Sequence, residues 1–415
     1  MRIGIFTDTY PPYINGVSTS IAMLETALKK MGHEVFIVTV NPDEMAYEYI
    51  EKDHIIRLAG IPIGIYDYRL TGIYPLKAVN KIKEWDLDII HSHTEFGVGT
   101  FARIMAKQLD IPIVHTYHTM YEDYVHYITK GFFDKSSKKI VEYLTKFYCD
   151  KTVTELIVPT KKTYDLFKDK YDYTRNIHIV PTGIEVERFY KENNDESITN
   201  RIKKEIGIKK DDFVILFVGR IAEEKNIPFL IENHLKIIDK NSKAKLIIIG
   251  DGPDIDSYKK MVKKLNIEKN IIFTGKVPWQ EVNQYYQMAN VFVSASHSET
   301  QGLTLLEAMA ASIPVVACQD EAFQDVVVNG LNGYLFENDD EYVDYICTLM
   351  NDKKIYDQMC IQARINGEAH SSKYYAEKVL DVYSIALGGI PGSDRPKRSF
   401  TDKMKNVIKK GFHGE

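Results

Sequence analysis

The chain has 415 residues and a formal net charge of −5, which argues against a general nucleic-acid binder. Its hydrophobic share of 44% is that of a globular rather than a disordered protein, and the length suits two domains of roughly 100–200 residues each. The four cysteines, Cys149, Cys318, Cys347 and Cys360, form no Cys-x-x-Cys pair and have no histidine at metal-ligand spacing, the pattern of idle thiols in a reducing compartment.

The first strand, Arg2–Phe6, is too short an apolar run for a signal peptide. No apolar run reaches the ~18 residues of a membrane-spanning helix. We therefore expect a cytoplasmic protein whose membrane contact, if any, is peripheral. A loop over 7–17 leads to a helix from about Ser18, with its stripe at Ile21, Leu24, Leu28 and Met31 and a terminal Gly32. A second strand at 34–40 completes a βαβ unit and implies a parallel sheet. Further strands fall at 87–91, 111–116, 155–158 and 177–180. Residues 191–210 are rich in Lys, Glu, Asn and Asp and mark the approach to a second domain. The pattern restarts with the apolar run 213–218, as in a strand buried on both faces. It continues at 245–249, 271–274, 291–294 and 315–317. The expected fold is α/β: two doubly wound, Rossmann-like domains, 1–190 and 191–387, with ligands beyond the carboxyl ends of the strands. The breaker cluster at 388–392 cuts off a tail, 388–415.

Four stretches carry chemistry. In Ser298-Glu299-Thr300-Gln301-Gly302-Leu303-Thr304-Leu305-Leu306-Glu307, Glu299 falls in a strand-to-helix loop and Glu307 on the following helix. Carboxylates there can accept hydrogen bonds from sugar or ribose hydroxyls, and the helix start suits a phosphate. The same pair fits two acids that merely complement the helix dipole. Arg220 and Lys225 follow the strand 213–218, where two fixed cations can stabilise a leaving diphosphate; a surface cluster with Glu223 and Glu224 is the plainer reading. Gly16, before the first helix, lets the backbone approach a phosphate, or is ordinary turn chemistry. His118, in the run 115–119, can bond a sugar hydroxyl or sit satisfied in the core, and the same choice applies to His91 and His93.

Taken in this order, the four elements resemble glycosyltransferase family 4, retaining enzymes of the GT-B fold. The resemblance implies His118, Glu299, Arg220 and Lys225 as the catalytic group. It implies Glu299 on the donor sugar hydroxyls, Glu307 on the ribose, amides near Gln301, Gly302 and Leu303 on the sugar, Val277 near the base, and Gly16 at the phosphate loop. Within the family, the segments 90–96, 115–124 and 298–304 are most similar to bacterial diacylglycerol glucosyltransferases, with Gln301 where many members have Phe. That likeness implies a UDP-glucose donor and a diacylglycerol acceptor; no cofactor or metal is expected, since Arg220 and Lys225 can do a metal's electrostatic work. The strings Asp86-Leu87-Asp88 and Asp254-Ile255-Asp256 are read as structural. A soluble or polyprenyl-linked saccharide acceptor, a sugar-nucleotide epimerase and a non-catalytic sugar-binding protein are the rival readings.

Phe400, Met404, Val407, Ile408 and Phe412 recur at helical spacing in the tail, beside Lys403, Lys405, Lys409 and Lys410. This is the pattern of an interfacial helix on anionic lipid. A solvated tail is the alternative, since so short a helix is marginal alone. Lys130, Lys138 and Lys139, close to Phe132 and Phe133, form a second candidate contact that would face the acceptor side of the first domain towards the inner face of the cell membrane.

Overall fold

A computed structural model describes residues 1–388 apart from 14, 43–47, 51–53, 63–68, 73–74, 96, 119–145, 147–148, 150–151, 172, 174, 297–298 and 300. Lys130, Lys138, Lys139, Lys403, Lys405, Lys409 and Lys410, the expected membrane contacts, lie outside the described residues.

The first domain carries β1 (Arg2–Phe6), β2 (Glu34–Val40), β3 (Glu48–Ile50), β4 (Ile55–Leu58), a small antiparallel hairpin of β5 (Gly60–Pro62) and β6 (Arg69–Thr71), then β7 (Ile89–Ser92), β8 (Ile113–Thr116), β9 (Glu155–Val158) and β10 (Ile177–Ile179). Its main sheet runs β10-β9-β8-β7-β1-β2-β4-β3 and is parallel except for the β3–β4 pair at one edge. The second domain carries β11 (Phe213–Val218), β12 (Ala244–Ile249), β13 (Ile271–Gly275), β14 (Val291–Ser294), β15 (Val315–Cys318) and β16 (Gly333–Phe336). Its sheet is parallel throughout, in the order β13-β12-β11-β14-β15-β16. Both orders reverse about a central strand, β1 or β11. Such a reversal opens a crevice at the carboxyl ends. β11 is apolar along its whole length because its neighbours pair on both sides and helices cover both faces.

The first helix spans Gly16–Lys30, two residues earlier than the periodicity predicts. Asn15 caps it, its side chain accepting from the Ser18 N–H at 2.9 Å.

The domain limits need correction. Helix Ser372–Ala386, assigned from sequence to the second domain, packs into the first: Tyr375, Ala376, Val379, Val382 and Tyr383 share a core with Ile3, Ile5, Ile21, Leu24 and Val35. At the other limit, Ile184, Val186 and Phe189 already belong to the second core. The chain thus crosses between domains twice, at 180–184 and at 367–372. The two crossings touch: Ile184 N–H donates to the His370 carbonyl at 3.0 Å and Ser372 N–H to the Ile184 carbonyl at 2.7 Å. Only glycine fits at 183, since a Cβ there would lie 2.4 Å from the Ser371 carbonyl oxygen.

Candidate active site

Every motif residue falls at the carboxyl end of a strand or on the helix that follows. In the first domain, the loop after β1 leads to Gly16, the first residue of its helix; a Cβ at Gly16 would meet nothing within 4 Å. The open space suits a ligand, and no packing demand among the described residues explains the glycine.

His118 follows β8, and its Nε2 is 2.8 Å from Nδ1 of His93, the two rings nearly parallel. Burial, then the neighbouring His115, pushes the His118 imidazole down to about 4. It is therefore neutral at pH 7, able to accept or donate one hydrogen bond. His93 is buried and its Nε2 has no partner among the described residues. His91 takes the structural role: its ring nitrogens meet the Tyr383 hydroxyl and the Thr116 hydroxyl, both at 2.7 Å.

In the second domain, Arg220 and Lys225 lie on the loop from β11 to helix Ile227–Lys240. Each cation already has a carboxylate. Arg220 donates twice to Glu224, through Nε at 3.1 Å and through a second nitrogen, and the Glu224 side chain is largely buried. Lys225 reaches instead across to Glu299, after β14. One ion pair thereby brings together the two motifs expected to serve the diphosphate and the sugar.

Gly302 caps helix Leu303–Ala310 in the left-handed region, with φ +77°, and a Cβ there would sit 2.7 Å from the Phe323 ring. Leu303 opens the helix, whose first amides point out of its amino end. Glu307, four residues on, is buried, and Tyr286 donates to its carboxylate at 2.7 Å. Burial raises the Glu307 carboxyl to about 7, against the lowering effect of the Tyr286 hydroxyl and of Arg188. Val277 follows β13 and is buried.

The Gln301 side chain is engaged away from the loop that carries it. Its side chain pairs with the main chain of Thr182, in the first crossing between domains. Sequence reasoning also missed Arg188, whose guanidinium lies 3.4 Å from the centre of the Trp279 ring, two residues beyond Val277. A second omission is Lys162, which meets both carboxylate oxygens of Asp320 at 3.0 Å across the domains. These contacts join segments remote in the chain, and no local motif marks them.

The two Asp-x-Asp strings have structural places. Asp88 accepts from the Arg2 N–H at 2.8 Å at the foot of β1, and Asp254 precedes helix Ile255–Lys264. Among the described residues, Glu95, His115 and Cys149 bring three possible metal ligands within 4.8 Å of one another. His115 is already engaged there, by Ser92 at 2.7 Å and Glu95 at 3.0 Å.

Residues 14–188 match the sequence profile of Glycosyltransferase Family 4, and residues 198–366 that of Glycosyl transferases group 1. The chain is 36% identical to an alpha-monoglucosyldiacylglycerol synthase of Acholeplasma laidlawii, over 92% of this chain and 96% of the relative. It is 38% identical to an alpha-monoglucosyldiacylglycerol synthase of Streptococcus pneumoniae, over 81% of this chain and 75% of the relative. Among solved structures, Anabaena HepE in complex with UDP-glucose superposes with a TM-score of 0.71 at 15% identity, over 92% of this chain and 99% of that one. The two-domain architecture is GT-B, as the sequence led us to expect.

Proposed function

The chain belongs to glycosyltransferase family 4, and from that premise we propose that it moves glucose from UDP-glucose to the free hydroxyl of diacylglycerol with the α configuration kept. The observation that carries the reading is the Lys225–Glu299 pair, read together with the names of the two relatives. As the bond from sugar C1 to the diphosphate oxygen breaks, negative charge grows on the diphosphate. Arg220 and Lys225 supply fixed positive charge for it. Arrival of the donor draws Lys225 from Glu299 towards phosphate and releases Glu299 to accept from sugar hydroxyls, so one exchange readies both groups. The amino end of helix Leu303–Ala310, with Gly302 and Leu303, faces the sugar-phosphate. Glu307 takes the ribose hydroxyls, Val277 borders the base, Gly16 leaves room for the first domain's backbone to approach, and neutral His118 bonds the sugar.

Arg220 and Lys225 do the electrostatic work a divalent ion does elsewhere, so activity should persist in excess EDTA. Complete loss on chelation, restored by magnesium or manganese, would overturn this. The acceptor side belongs to the first domain, and the anionic membrane surface is its proposed setting. Purified protein offered UDP-sugars singly, with diacylglycerol in anionic liposomes, tests the whole reading by chromatography and NMR of the product. An α-glucosyldiacylglycerol is expected. Transfer only to a soluble or polyprenyl-linked saccharide, or conversion of the UDP-sugar without transfer, would replace it.

A further inference from the structure

Gln301 stands in the loop that the proposed function gives to the donor sugar, yet its carboxamide is committed elsewhere. Oε1 accepts from the Thr182 N–H at 2.8 Å and Nε2 donates to the Thr182 carbonyl at 2.9 Å. Both residues are almost wholly buried, at 4% and 3% exposure. A neutral side chain, using one N–H of its amide nitrogen and its carbonyl oxygen, thus pairs with both polar groups of a single main-chain residue, as a neighbouring strand would.

Thr182 is not in a strand. It lies in the first crossing between domains, a segment fixed from other directions as well. The Ser20 hydroxyl approaches both the Thr182 hydroxyl and the Tyr375 hydroxyl at 3.4 Å; Ser20 sits on the helix that begins at Gly16, and Tyr375 on the helix that returns after the second crossing. Ile184 pairs with the second crossing itself. Gly302, next to Gln301, has no slack either, because the Phe323 ring fills the space where a Cβ would go. The helix Glu321–Gln324 that carries Phe323 is tied to the first domain through Asp320 and Lys162.

We propose that Gln301 is a positioning residue that couples the start of helix Leu303–Ala310 to the interdomain crossing at Thr182. It holds the Gly302 and Leu303 amides in a fixed relation to the acceptor side of the first domain. The proposal rests on the reading of 299–303 as the donor loop. The chemistry is specific to a carboxamide. Glutamate would set an acceptor against the Thr182 carbonyl, and methionine would fill the volume but leave the buried N–H and carbonyl unpaired.

Full-length Gln301→Met and Gln301→Glu variants test this, with folding checked by thermal unfolding. Transfer of glucose to diacylglycerol should lose about tenfold in kcat, the size expected for losing about two buried neutral hydrogen bonds at a coupling point. UDP affinity and the KM for UDP-glucose should change by less than about threefold. A wild-type kcat in the folded Met variant would overturn the proposal. So would a loss confined to UDP-glucose affinity, because Gln301 would then act on the donor alone. A second readout needs no substrate: the distance between fluorophores at Leu76→Cys in the first domain and Ile361→Cys in the second, both sites exposed, with Cys347 and Cys360 replaced by Ser. Broader or shifted distance distributions in both Gln301 variants support the coupling, and distributions identical to wild type refute it. If the wild type transfers no glucose to diacylglycerol, the functional reading fails by itself, and the distance measurement still decides the role of Gln301.

Discussion

Arg220 and Glu224 hold each other in place at the mouth of β11, so removing the arginine has two consequences. It deletes a preorganised donor to the diphosphate, for which we expect kcat to fall by roughly 10²–10³. It also takes a cation away from a largely buried carboxylate, Glu224. An Arg220→Ala/Glu224→Gln double variant separates the two, since it neutralises the carboxylate as well; if Arg220→Ala folds and turns over at the wild-type rate, the diphosphate is held by something else. Glu307 offers a prediction of a different kind. Its carboxyl is raised from the usual 4.5 to about 7, so between those values the native state keeps a proton that the unfolded chain releases. Stability from this group therefore falls as pH rises from about 4.5 to about 7. If ionised Glu307 accepts the ribose hydroxyls, affinity for UDP should strengthen across neutrality more in wild type than in Glu307→Gln, UDP's own titration being common to both. Tyr286→Phe removes the hydroxyl that lowers the carboxyl and should move the inflection to higher pH. Calorimetric titration with UDP from about pH 6 to pH 9 measures all three proteins. Identical pH profiles for wild type and Glu307→Gln would remove Glu307 from the ribose site.

Helix Ser372–Ala386 shows what a stripe of apolar residues reveals and what it withholds. Tyr375, Val379, Val382 and Tyr383 recur at helical spacing, which establishes a buried face. The spacing does not say which sheet covers that face, and the helix lies against the first domain rather than the one preceding it in the chain. The contact is also polar: the Tyr383 hydroxyl meets the buried Nδ1 of His91 at 2.7 Å. Tyr383→Phe should cost about 1–3 kcal/mol, because the imidazole loses a partner where water is excluded. Urea unfolding checks this, and an unchanged midpoint would show that His91 finds another partner. The same limit governed the candidate site. Arg220, Lys225, Glu299 and Glu307 were legible because a short run after an apolar strand places its side chains at the carboxyl end of a sheet. The clamp from Gln301 to Thr182 was not, since 119 residues separate them, and Lys162 stands 158 residues from Asp320. The central strands of both sheets were legible as continuous apolar runs. The short strands β4 and β16 were not, because Arg57 interrupts the apolar run of one and Gly333 and Tyr334 open the other.

For the molecule as a whole, charge is divided unevenly. The chain carries −5 overall, while its last stretch, 388–415, has seven Lys/Arg against three Asp/Glu. Among the described residues no helix is long and apolar enough to cross a membrane. Each Lys or Arg near an anionic leaflet contributes about 1 kcal/mol, and Phe400, Met404, Ile408 and Phe412 could then bury apolar area at the headgroup boundary. Deleting residues 392–415 should therefore weaken binding to anionic vesicles and lower activity on diacylglycerol. Any slow hydrolysis of UDP-glucose should be spared, since the proposed donor residues, from Gly16 to Glu307, all lie outside the tail. Salt should act in the same direction as the deletion: at 0.1 M the Debye length is about 10 Å, and it shortens as salt rises. Binding of the full chain should fall with ionic strength, and the truncated chain should respond less. Co-sedimentation of both forms with vesicles at low and high salt measures the two effects. Equal pelleting would mean that the tail only trails in solvent, and the lysines at 130, 138 and 139 would become the candidate anchor, to be tested by the same assay after their replacement.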